Sequence, residues 1–330
     1  MIKHSLIFNR TDIQSLMSLP EHIEVVENAF KLYAQGKVVS PDLLHFDTEN
    51  GEFHLKAGGL KTPKTYFGLK SNGGFFQNKV TNGLPNIQGV ILLHDGENGF
   101  PLAIFESGDI TIKRTGAATA VAAKYLALEN ADTVTICGCG IQGQIQLESI
   151  TQVRDIKKVF AFDMNEEAMA KYAETMSKKL NIEVLPATDL KEAILQSQIC
   201  VSCTPSHQAF IKKEYIHDGL FIAAVGADSP EKQELDPQLL ADYKIVADIL
   251  EQCVNVGETH HAIDAGLMNK EDVYSELGDV ILGKKKGRES DEEVIIYDAT
   301  GTALQDVAAA AYIYEKAVKQ DIGLAFQFPA

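Results

Sequence analysis

A strand that runs into a glycine-rich turn is the feature that most constrains the fold of this chain. The β-branched run Thr133 to Ile136 has the composition of a buried strand. It is followed by Gly138-Cys139-Gly140-Ile141-Gln142-Gly143, which has the spacing G-x-G-x-x-G. By itself this spacing is a weak signal, so its meaning depends on the segments on either side.

Those flanking segments are typical of a dinucleotide-binding unit. Residues 144–153 (QIQLESITQV) predict a helix, and residues 157–163 (KKVFAFD) predict a second strand. The second strand ends in Asp163, twenty positions after Gly143, where a carboxylate can accept hydrogen bonds from both hydroxyls of an adenosine ribose. The open alternative is a glycine turn in an α/β protein that binds no nucleotide.

Each glycine of the turn has a separate expected role. We expect Gly138 to permit the tight turn, Gly140 to let a pyrophosphate approach the backbone, and Gly143 to let the helix pack closely on the strand. The anion would then lie at the positive end of the helix, near Ile141 and Gln142.

The remaining pattern predicts two regions of different architecture. Residues 41–107 show short alternating runs broken by glycine, which predict an antiparallel sheet after an N-terminal helix. An alanine-rich helix follows, and residues 133–300 then alternate strands and helices with short connections. Such alternation predicts parallel strands with helical crossovers, hence a doubly wound α/β sheet. A last helix, residues 303–321, returns after the final strand.

Composition excludes several classes of protein. A formal charge of −16 repels nucleic-acid phosphates, and the basic run from Lys284 to Arg288 is followed by acids, so we interpret it as a solvated loop. No window has the apolar length of a membrane span, and the N-terminus lacks a signal-peptide pattern, so we expect a cytoplasmic protein. The pairs Cys137/Cys139 and Cys200/Cys203 invite a zinc interpretation, but their spacing on strands favours small buried thiols.

A second informative stretch is residues 223–236, AAVGADSPEKQELD. A strand running into this turn places Asp228 near the carboxyl end of a parallel strand, where open α/β sheets bind their ligands. Asp228 could equally cap the following turn. Lys232 lies four residues further on, and the turn at residues 203–206 (CTPS) would border the same crevice.

Two cations lie among small and apolar residues. Lys70 occupies a strand-like run with glycines on both sides, and Arg114 lies inside the alanine-rich helix. Such cations need an anionic partner, which could be a substrate carboxylate or an internal Asp or Glu; composition alone favours the internal partner. His260 and His261 are adjacent and diverge on either a helix or a strand, so we do not expect them to share a metal.

Five sequence blocks, in order, resemble the ornithine cyclodeaminase/mu-crystallin family over nearly the whole chain. They are residues 83–107, 110–127, 136–147, 225–236 and 298–311. The resemblance implies a Rossmann-type dinucleotide-binding domain at 116–302, inserted into a smaller α+β substrate-binding and dimerisation domain at 1–115 plus 303–330. It also implies an NAD(H)-dependent enzyme that acts on the C–N bond of a small α-amino or cyclic imino acid, with no metal.

The same resemblance implies the site residues. Lys70, Arg114 and Gly301 would bind the substrate, with Asp228 as catalytic acid/base and Lys70 also catalytic. Contacts to the dinucleotide would come from Asn86, Arg114, Gly138, Gly140, Ile141, Gln142, Gly143, Asp163, Thr204, Val225, Gly226 and Lys232.

Two departures from the family pattern bear on the substrate. Leu43 stands where many members have arginine, and His54 stands near the position of a glutamate that would bind the distal amine of ornithine. We therefore favour an imine reductase or amino-acid dehydrogenase over ornithine cyclodeaminase, with a mu-crystallin-like binding protein as a further alternative. Asp163 favours NAD(H), and the resemblance implies a homodimer.

Overall fold

The computed structural model describes residues 4–75 and 77–327. Residues 1–3, which belong to the N-terminal stretch without a signal-peptide pattern, lie outside these ranges. The chain divides into two compact units, residues 1–114 with 302–330 and residues 115–301. The boundaries expected from the resemblance lie one residue later at each junction.

The first unit contains a mixed sheet. Within the described ranges its strand order is β17-β1-β6-β5-β4-β3-β2, and all neighbours are antiparallel except β1 and β6. Numbered in chain order, the strands are β1 Ser5–Phe8, β2 Val38–Thr48, β3 Gly51–Lys61, β4 Thr65–Gly74, β5 Ile87–Asp95, β6 Pro101–Glu106 and β17 Leu324–Phe326. The expected antiparallel sheet is therefore confirmed, with one parallel pair added by β1.

The helices of the first unit follow the apolar periodicity of the sequence. They are α1 Arg10–Leu16, α2 Leu19–Ala34, α3 Asn78–Thr81, α12 Ala303–Gln320 and the first part of α4 Ser107–Leu126, which continues past residue 114 into the second unit. The single N-terminal helix that we expected is two helices, because Asn9 and Ser18 each supply a capping box.

Helix α12 packs on one face of this sheet. Glycine permits the close approach: a Cβ at Gly68 would lie 2.6 Å from Val307 Cγ2. Tyr66 Oη also donates to Glu315 Oε1 at 2.8 Å. This packing brings the late helix onto strands that precede it by more than two hundred residues, and it positions the acidic and amide side chains discussed below.

The second unit is a doubly wound parallel sheet, as expected. Within the described residues its order is β15-β14-β16-β12-β10-β7-β8-β9, every neighbouring pair parallel. The strands are β7 Thr133–Cys137, β8 Lys158–Phe162, β9 Glu183–Pro186, β10 Ile199–Ser202, β12 Phe221–Ala224, β14 Lys244–Ala247, β15 Ser275–Glu276 and β16 Ile295–Asp298, with β11 His207–Ile211 and β13 Gln233–Leu235 forming a separate pair. The chain winds outward from β7 to β9 and then resumes on the other side at β10, so β7 and β10 define the switch point where such sheets bind ligands.

Seven helices are described in the second unit after α4. They are α5 Ile141–Ile150, α6 Glu166–Leu180, α7 Leu190–Leu195, α8 Pro237–Asp242, α9 Leu250–Val256, α10 Glu258–Asp264 and α11 Leu277–Ile281. All five residues of β7 are buried, which explains its apolar, β-branched sequence. Among the described residues, no helix combines the length and apolar character that a membrane span requires.

Candidate active site

The glycine turn lies at the switch point of the second unit, between β7 and α5. Gly138 has φ +105°, a conformation that favours glycine. A Cβ at Gly143 would lie 2.0 Å from the carbonyl oxygen of Gly138, so any side chain there would force the helix off the strand. The backbone roles predicted for Gly138 and Gly143 are thus confirmed.

The N-terminus of α5 has the geometry of an anion site. Its N-cap is Gly140, no side chain caps it, and its first turn has no acid. A Cβ at Gly140 would meet no atom within 4 Å among the described residues, so the space in front of this backbone is open. Ile141 is 64% exposed beside it. Uncapped N–H groups at a helix start attract phosphate, which is the role predicted for this turn.

Asp163 lies directly after β8 and is joined to the glycine turn. Its Oδ2 accepts from the backbone N–H of Cys139 at 2.8 Å, and its Oδ1 accepts from Asn165 N–H at 2.9 Å. These two bonds fix the orientation of the carboxylate. The turn and the predicted ribose-binding acid therefore form one rigid group.

The loops after β10 and β12 are held together by a residue to which the sequence assigned no role, Glu234. Its Oε1 accepts from the N–H and the hydroxyl of Thr204, both at 2.7 Å, and its Oε2 accepts from Gly226 N–H at 2.9 Å. A Cβ at Gly226 would lie 2.5 Å from the Glu234 carboxylate, so only glycine allows this approach. Thr204, Val225 and Gly226, the predicted cofactor contacts, are positioned by this carboxylate.

Further buried acids continue this support. The N–H of Glu234 donates to Glu258 Oε1 at 2.7 Å, and the N–H of Glu258 donates to Asp298 Oδ1 at 3.1 Å. Asp248 N–H donates to the carbonyl oxygen of Asp298 at 2.9 Å, and Asp248 Oδ2 accepts from Gly301 N–H at 2.7 Å. The four acids form a chain of hydrogen bonds along the carboxyl edge of the sheet. The chain runs from the Thr204 loop to Gly301, the predicted substrate-binding glycine.

Burial sets the protonation behaviour of these acids. Desolvation raises the pKa of Glu234, raises that of Glu258 well above its usual value, and raises that of Asp298 to about 6. The bonds that Glu234 accepts from Thr204 and Gly226 oppose the shift of its pKa. The hydrogen bonds that Glu258 and Asp298 accept from backbone N–H groups likewise favour their charged forms and oppose the effect of burial.

Asp228 lies in the loop after β12 and pairs with Lys232. Its Oδ1 accepts from Lys232 Nζ at 2.7 Å, and its side chain is 35% exposed. The backbone carbonyl of Lys232 contacts His261 Nε2 at 2.8 Å. The predicted acid/base and the predicted cofactor lysine are therefore adjacent in the structure, with Asp228 accessible to a small molecule. Its catalytic role stays a prediction.

The two cations predicted to bind substrate meet in the first unit. Lys70 on β4 and Arg114 on α4 both contact Asp306 on α12: Lys70 Nζ lies 2.6 Å from Oδ2 and Arg114 Nε lies 3.1 Å from Oδ1. Arg114 Nη1 also donates to Gln305 Oε1 at 2.9 Å. The internal acid favoured by composition is therefore Asp306, and it holds both cations in one cluster.

This cluster retains capacity for a ligand. Lys56 lies opposite Lys70 on the neighbouring strand, so three cations surround Asp306 on one face of the sheet. Within the described residues, Gln305 Nε2 is buried with no hydrogen-bond acceptor, and Arg114 Nε lacks the alignment of a hydrogen bond with Asp306. Burial, with Arg114 and Lys56, lowers the pKa of Lys70, and the attraction of Asp306 opposes this shift; together they set the pKa at about 7. The cluster therefore holds buried positive charge and a buried donor without an acceptor.

Several other predicted residues have structural partners. Asn86 Oδ1 accepts from Lys79 N–H at 3.0 Å in the loop that follows α3. His260 lies 3.4 Å from Asp264, and its ring is 5.1 Å from that of His261. In the basic run, Lys284 pairs with Asp279 and Lys286 with Glu289. The cofactor role of Asn86 stays a prediction.

The cysteines behave as small apolar residues. Cys137, Cys139, Cys200 and Cys253 are buried, Cys203 is half-buried, and none forms a disulfide. A hydrogen bond with Cys200, together with burial, raises the pKa of the Cys137 thiol well above its usual value. The prediction of buried thiols at Cys137, Cys139, Cys200 and Cys203 is confirmed for three of these four.

Comparison with known proteins agrees with the geometry. The family model described as ornithine cyclodeaminase/mu-crystallin family matches residues 3–321. Alanine dehydrogenase from Archaeoglobus fulgidus is 39% identical over 98% of this chain and 98% of that protein.

Two solved structures are similar over their full length. An archaeal alanine dehydrogenase dimer with bound NAD has a TM-score of 0.93 at 39% identity, covering 99% of this chain and 100% of that one. Thermococcus litoralis Delta(1)-pyrroline-2-carboxylate reductase, in complex with NADH and L-proline, has a TM-score of 0.92 at 33% identity, covering 97% and 99%.

Proposed function

The chain belongs to the ornithine cyclodeaminase/mu-crystallin family, and from this premise we propose that it is an NAD(H)-dependent oxidoreductase that interconverts a small α-amino acid and the corresponding imino acid. Reduction adds a hydride from NADH to Cα of the C=N bond and a proton to the nitrogen, and oxidation reverses both steps. The observation that most supports this proposal is the buried Lys70–Arg114–Asp306 cluster, beside which Gln305 Nε2 has no acceptor among the described residues.

In this proposal the cluster binds the substrate carboxylate. Gln305 Nε2 supplies a buried donor without an acceptor, and Arg114, whose Nε lies 3.1 Å from Asp306, adds positive charge. Lys70, with a pKa of about 7, exists in both protonation states near neutrality and can therefore also exchange a proton. Fixing the carboxylate fixes Cα, which is what hydride transfer requires.

The second unit supplies the cofactor site and the proton donor. The start of α5 takes the pyrophosphate, Asp163 takes the adenosine ribose, and the loops at Thr204 and Gly226 take the remainder of the dinucleotide. When bound, NAD(H) accepts or donates the hydride. Asp228, paired with Lys232 and 35% exposed, accepts the proton from the substrate nitrogen in oxidation and returns it in reduction.

A direct assay separates this reaction from the alternatives. NADH absorbance is followed with pyrroline-2-carboxylate and with pyruvate plus ammonia, and proline formation is followed from ornithine with catalytic NAD. We expect stoichiometric NADH loss with at least one imine. Proline and ammonia without net cofactor change would instead establish a cyclodeaminase, and NADH binding without turnover on any substrate would establish a binding protein.

We expect NADH to bind at least about tenfold more tightly than NADPH. The oriented Asp163 carboxylate would repel a 2′-phosphate, and residues 164–167 (MNEE) offer no cation to neutralise it. Dissociation constants from quenching of protein or nicotinamide fluorescence measure the preference. Tighter binding of NADPH than of NADH would show that Asp163 does not bind the adenosine ribose.

Replacing Glu234 with glutamine is expected to raise the NADH dissociation constant by about 10- to 100-fold, since charge-assisted hydrogen bonds contribute about 1.5–3 kcal/mol each. Glutamine has one acceptor oxygen, so its amide NH₂ would face a donor of Thr204 or Gly226. Exposed Glu231, in the loop that precedes β13, is the matched control as Glu231→Gln. Equal NADH affinity in both variants would show that Glu234 does not position the cofactor loops.

We further propose a homodimer that associates through the outer face of the first unit's sheet. The cross-strand register places Leu44, Phe46, Phe53 and Val90 on this face, and they are 38–53% exposed. A contiguous apolar face of this kind marks an interaction surface. We expect light scattering to give twice 36.1 kDa, and Phe46→Asp to shift the mass toward the monomer. A wild-type monomer at micromolar concentration would contradict the proposal.

A further inference from the structure

The hairpin formed by β2 and β3 carries a symmetric set of histidines and acids, residue types that can bind metals. The sequence reads His45-x-Asp47 on β2 and Glu52-x-His54 on β3. In the antiparallel register, His45 lies opposite His54 and Asp47 lies opposite Glu52. Directly opposite residues share a face of the sheet, as do residues two apart, so all four side chains project from the same side.

The ligand atoms of these residues converge. The ligand atoms of His45, Glu52 and His54 all lie within 4.8 Å of one another. Glu52 Oε1 lies 3.2 Å from His54 Nε2, and Glu52 Oε2 lies 3.8 Å from His45 Nε2. Asp47 Oδ1 lies 3.0 Å from His45 Nε2. Donors bound to one tetrahedral Zn²⁺ at about 2.0–2.1 Å are separated by about 3.3 Å, so several pairs already have the required spacing.

The two rings are oriented so that both can reach one ion. Their centroids are 4.5 Å apart and their planes cross at 81°. The side chains of His45, Glu52 and His54 are 25%, 18% and 11% exposed, whereas that of Asp47 is 82% exposed. Three ligands are thus held by the sheet, and Asp47 or a water can complete the coordination from the solvent side.

We propose that His45, Glu52 and His54, with Asp47 or water as fourth ligand, bind a divalent transition metal of the Zn²⁺ type. Two imidazole nitrogens with one or two carboxylates suit Zn²⁺ and its neighbours, whereas Mg²⁺ and Ca²⁺ prefer sites made of oxygen alone. The metal ties β2 to β3 at the edge of the sheet. Sequence spacing invites a metal interpretation only at the cysteines and at His260-His261, because the convergence of these four residues depends on strand register.

The site lies on the same face as the cation cluster. His54 is two residues from Lys56, and Lys56 is directly opposite Lys70. The carboxylates of Asp47 and Glu52 offset the positive charge that a metal adds to this face. The proposal does not depend on the proposed function, since it concerns binding by the first unit's own residues.

Titration of the untagged, chelator-treated protein with Co²⁺ tests the proposal. Tetrahedral Co²⁺ has a strong visible d–d absorption, and displacement by Zn²⁺ confirms a shared site. We expect the wild type to bind one equivalent of Co²⁺ per chain. In His45→Ala and in Glu52→Gln the dissociation constant should be at least about tenfold higher, because each variant loses one of only three or four protein ligands. Glu52→Gln preserves the shape of the side chain and guards against misfolding, which circular dichroism monitors.

His260→Ala is the matched control, because His260 also contacts a neighbouring imidazole and a carboxylate, Asp264. We expect this variant to bind Co²⁺ as the wild type does. The proposal is overturned if the wild type shows no stoichiometric binding, or if His45→Ala and Glu52→Gln bind Co²⁺ as tightly as His260→Ala does.

Discussion

Replacing Asp228 with asparagine is expected to lower turnover by at least about a hundredfold, because general acid/base catalysis contributes about 10²–10⁴-fold. Asparagine keeps the shape of the side chain but cannot accept and return a proton. The proposed donor is the accessible carboxylate that Lys232 holds at 2.7 Å, so the loss should fall on kcat, with the NADH dissociation constant changed much less.

Two further variants distinguish a catalytic role of Asp228 from a role in positioning or in cofactor binding. Lys232→Met removes the partner of Asp228 but leaves its carboxylate, so it should weaken cofactor binding more than it lowers kcat. Asp242→Asn removes an acid that also pairs with a lysine, Lys213, in the same unit, and it should leave turnover unchanged. Near-normal turnover of Asp228→Asn would exclude Asp228 from the mechanism.

The second large effect is expected at Asp306. Substituting asparagine removes the anion shared by buried Lys70 and Arg114, and breaking a buried ion pair in this way costs about 3–5 kcal/mol in the free energy of unfolding. Urea unfolding at pH 7 measures the loss. Glu174→Gln, at the exposed pair with Lys178, is the control and should leave the free energy of unfolding nearly unchanged.

The pH dependence identifies the cause of this loss. Lys70 has a folded-state pKa of about 7, below its usual 10.5, so the unfolded chain binds more protons between these values and stability rises with pH. In Asp306→Asn the chief attraction that raises the pKa of Lys70 is gone, so the pKa falls further and Lys70 becomes neutral at lower pH. The difference in free energy of unfolding between the wild type and Asp306→Asn should therefore become smaller as the pH is raised from below neutrality.

Adding Lys70→Met to Asp306→Asn should restore part of the stability, because the double variant no longer buries an amine that must either stay charged without its anion or lose its proton. If the loss in free energy of unfolding neither becomes smaller with rising pH nor is reduced by Lys70→Met, Asp306 contributes through packing and not through charge.

The sequence predicted those parts of the fold that depend on neighbours in the chain. The β-branched run of β7, the glycines at 138 and 143, and the start of α5 follow from local sterics and hydrogen bonding. The alternation of strands and helices likewise predicted a parallel sheet, because short crossovers allow few arrangements. The single N-terminal helix was wrong, because two capping boxes divide it into α1 and α2.

The partners of the predicted site residues could not be read from the sequence. Buried acids in apolar context, as in residues 294–298 (VIIYD) and residues 306–311 (DVAAAA), are a signal that each must have partners, but not which ones. Asp306 meets Lys70 from 236 positions away in the chain, a separation that no spacing rule covers.

What the sequence by itself determined, then, is the backbone frame: the glycine turn, the acid after β8, the parallel order, and the cations that require an anion. The tertiary structure decided which anion that is, how Glu234 joins the Thr204 and Gly226 loops, and that His45 faces His54 across a hairpin. The physical reason is the separation along the chain between the residues that interact. Backbone conformation depends on sterics over a few residues, whereas side-chain partners depend on strand register and helix packing, which many distant contacts fix together.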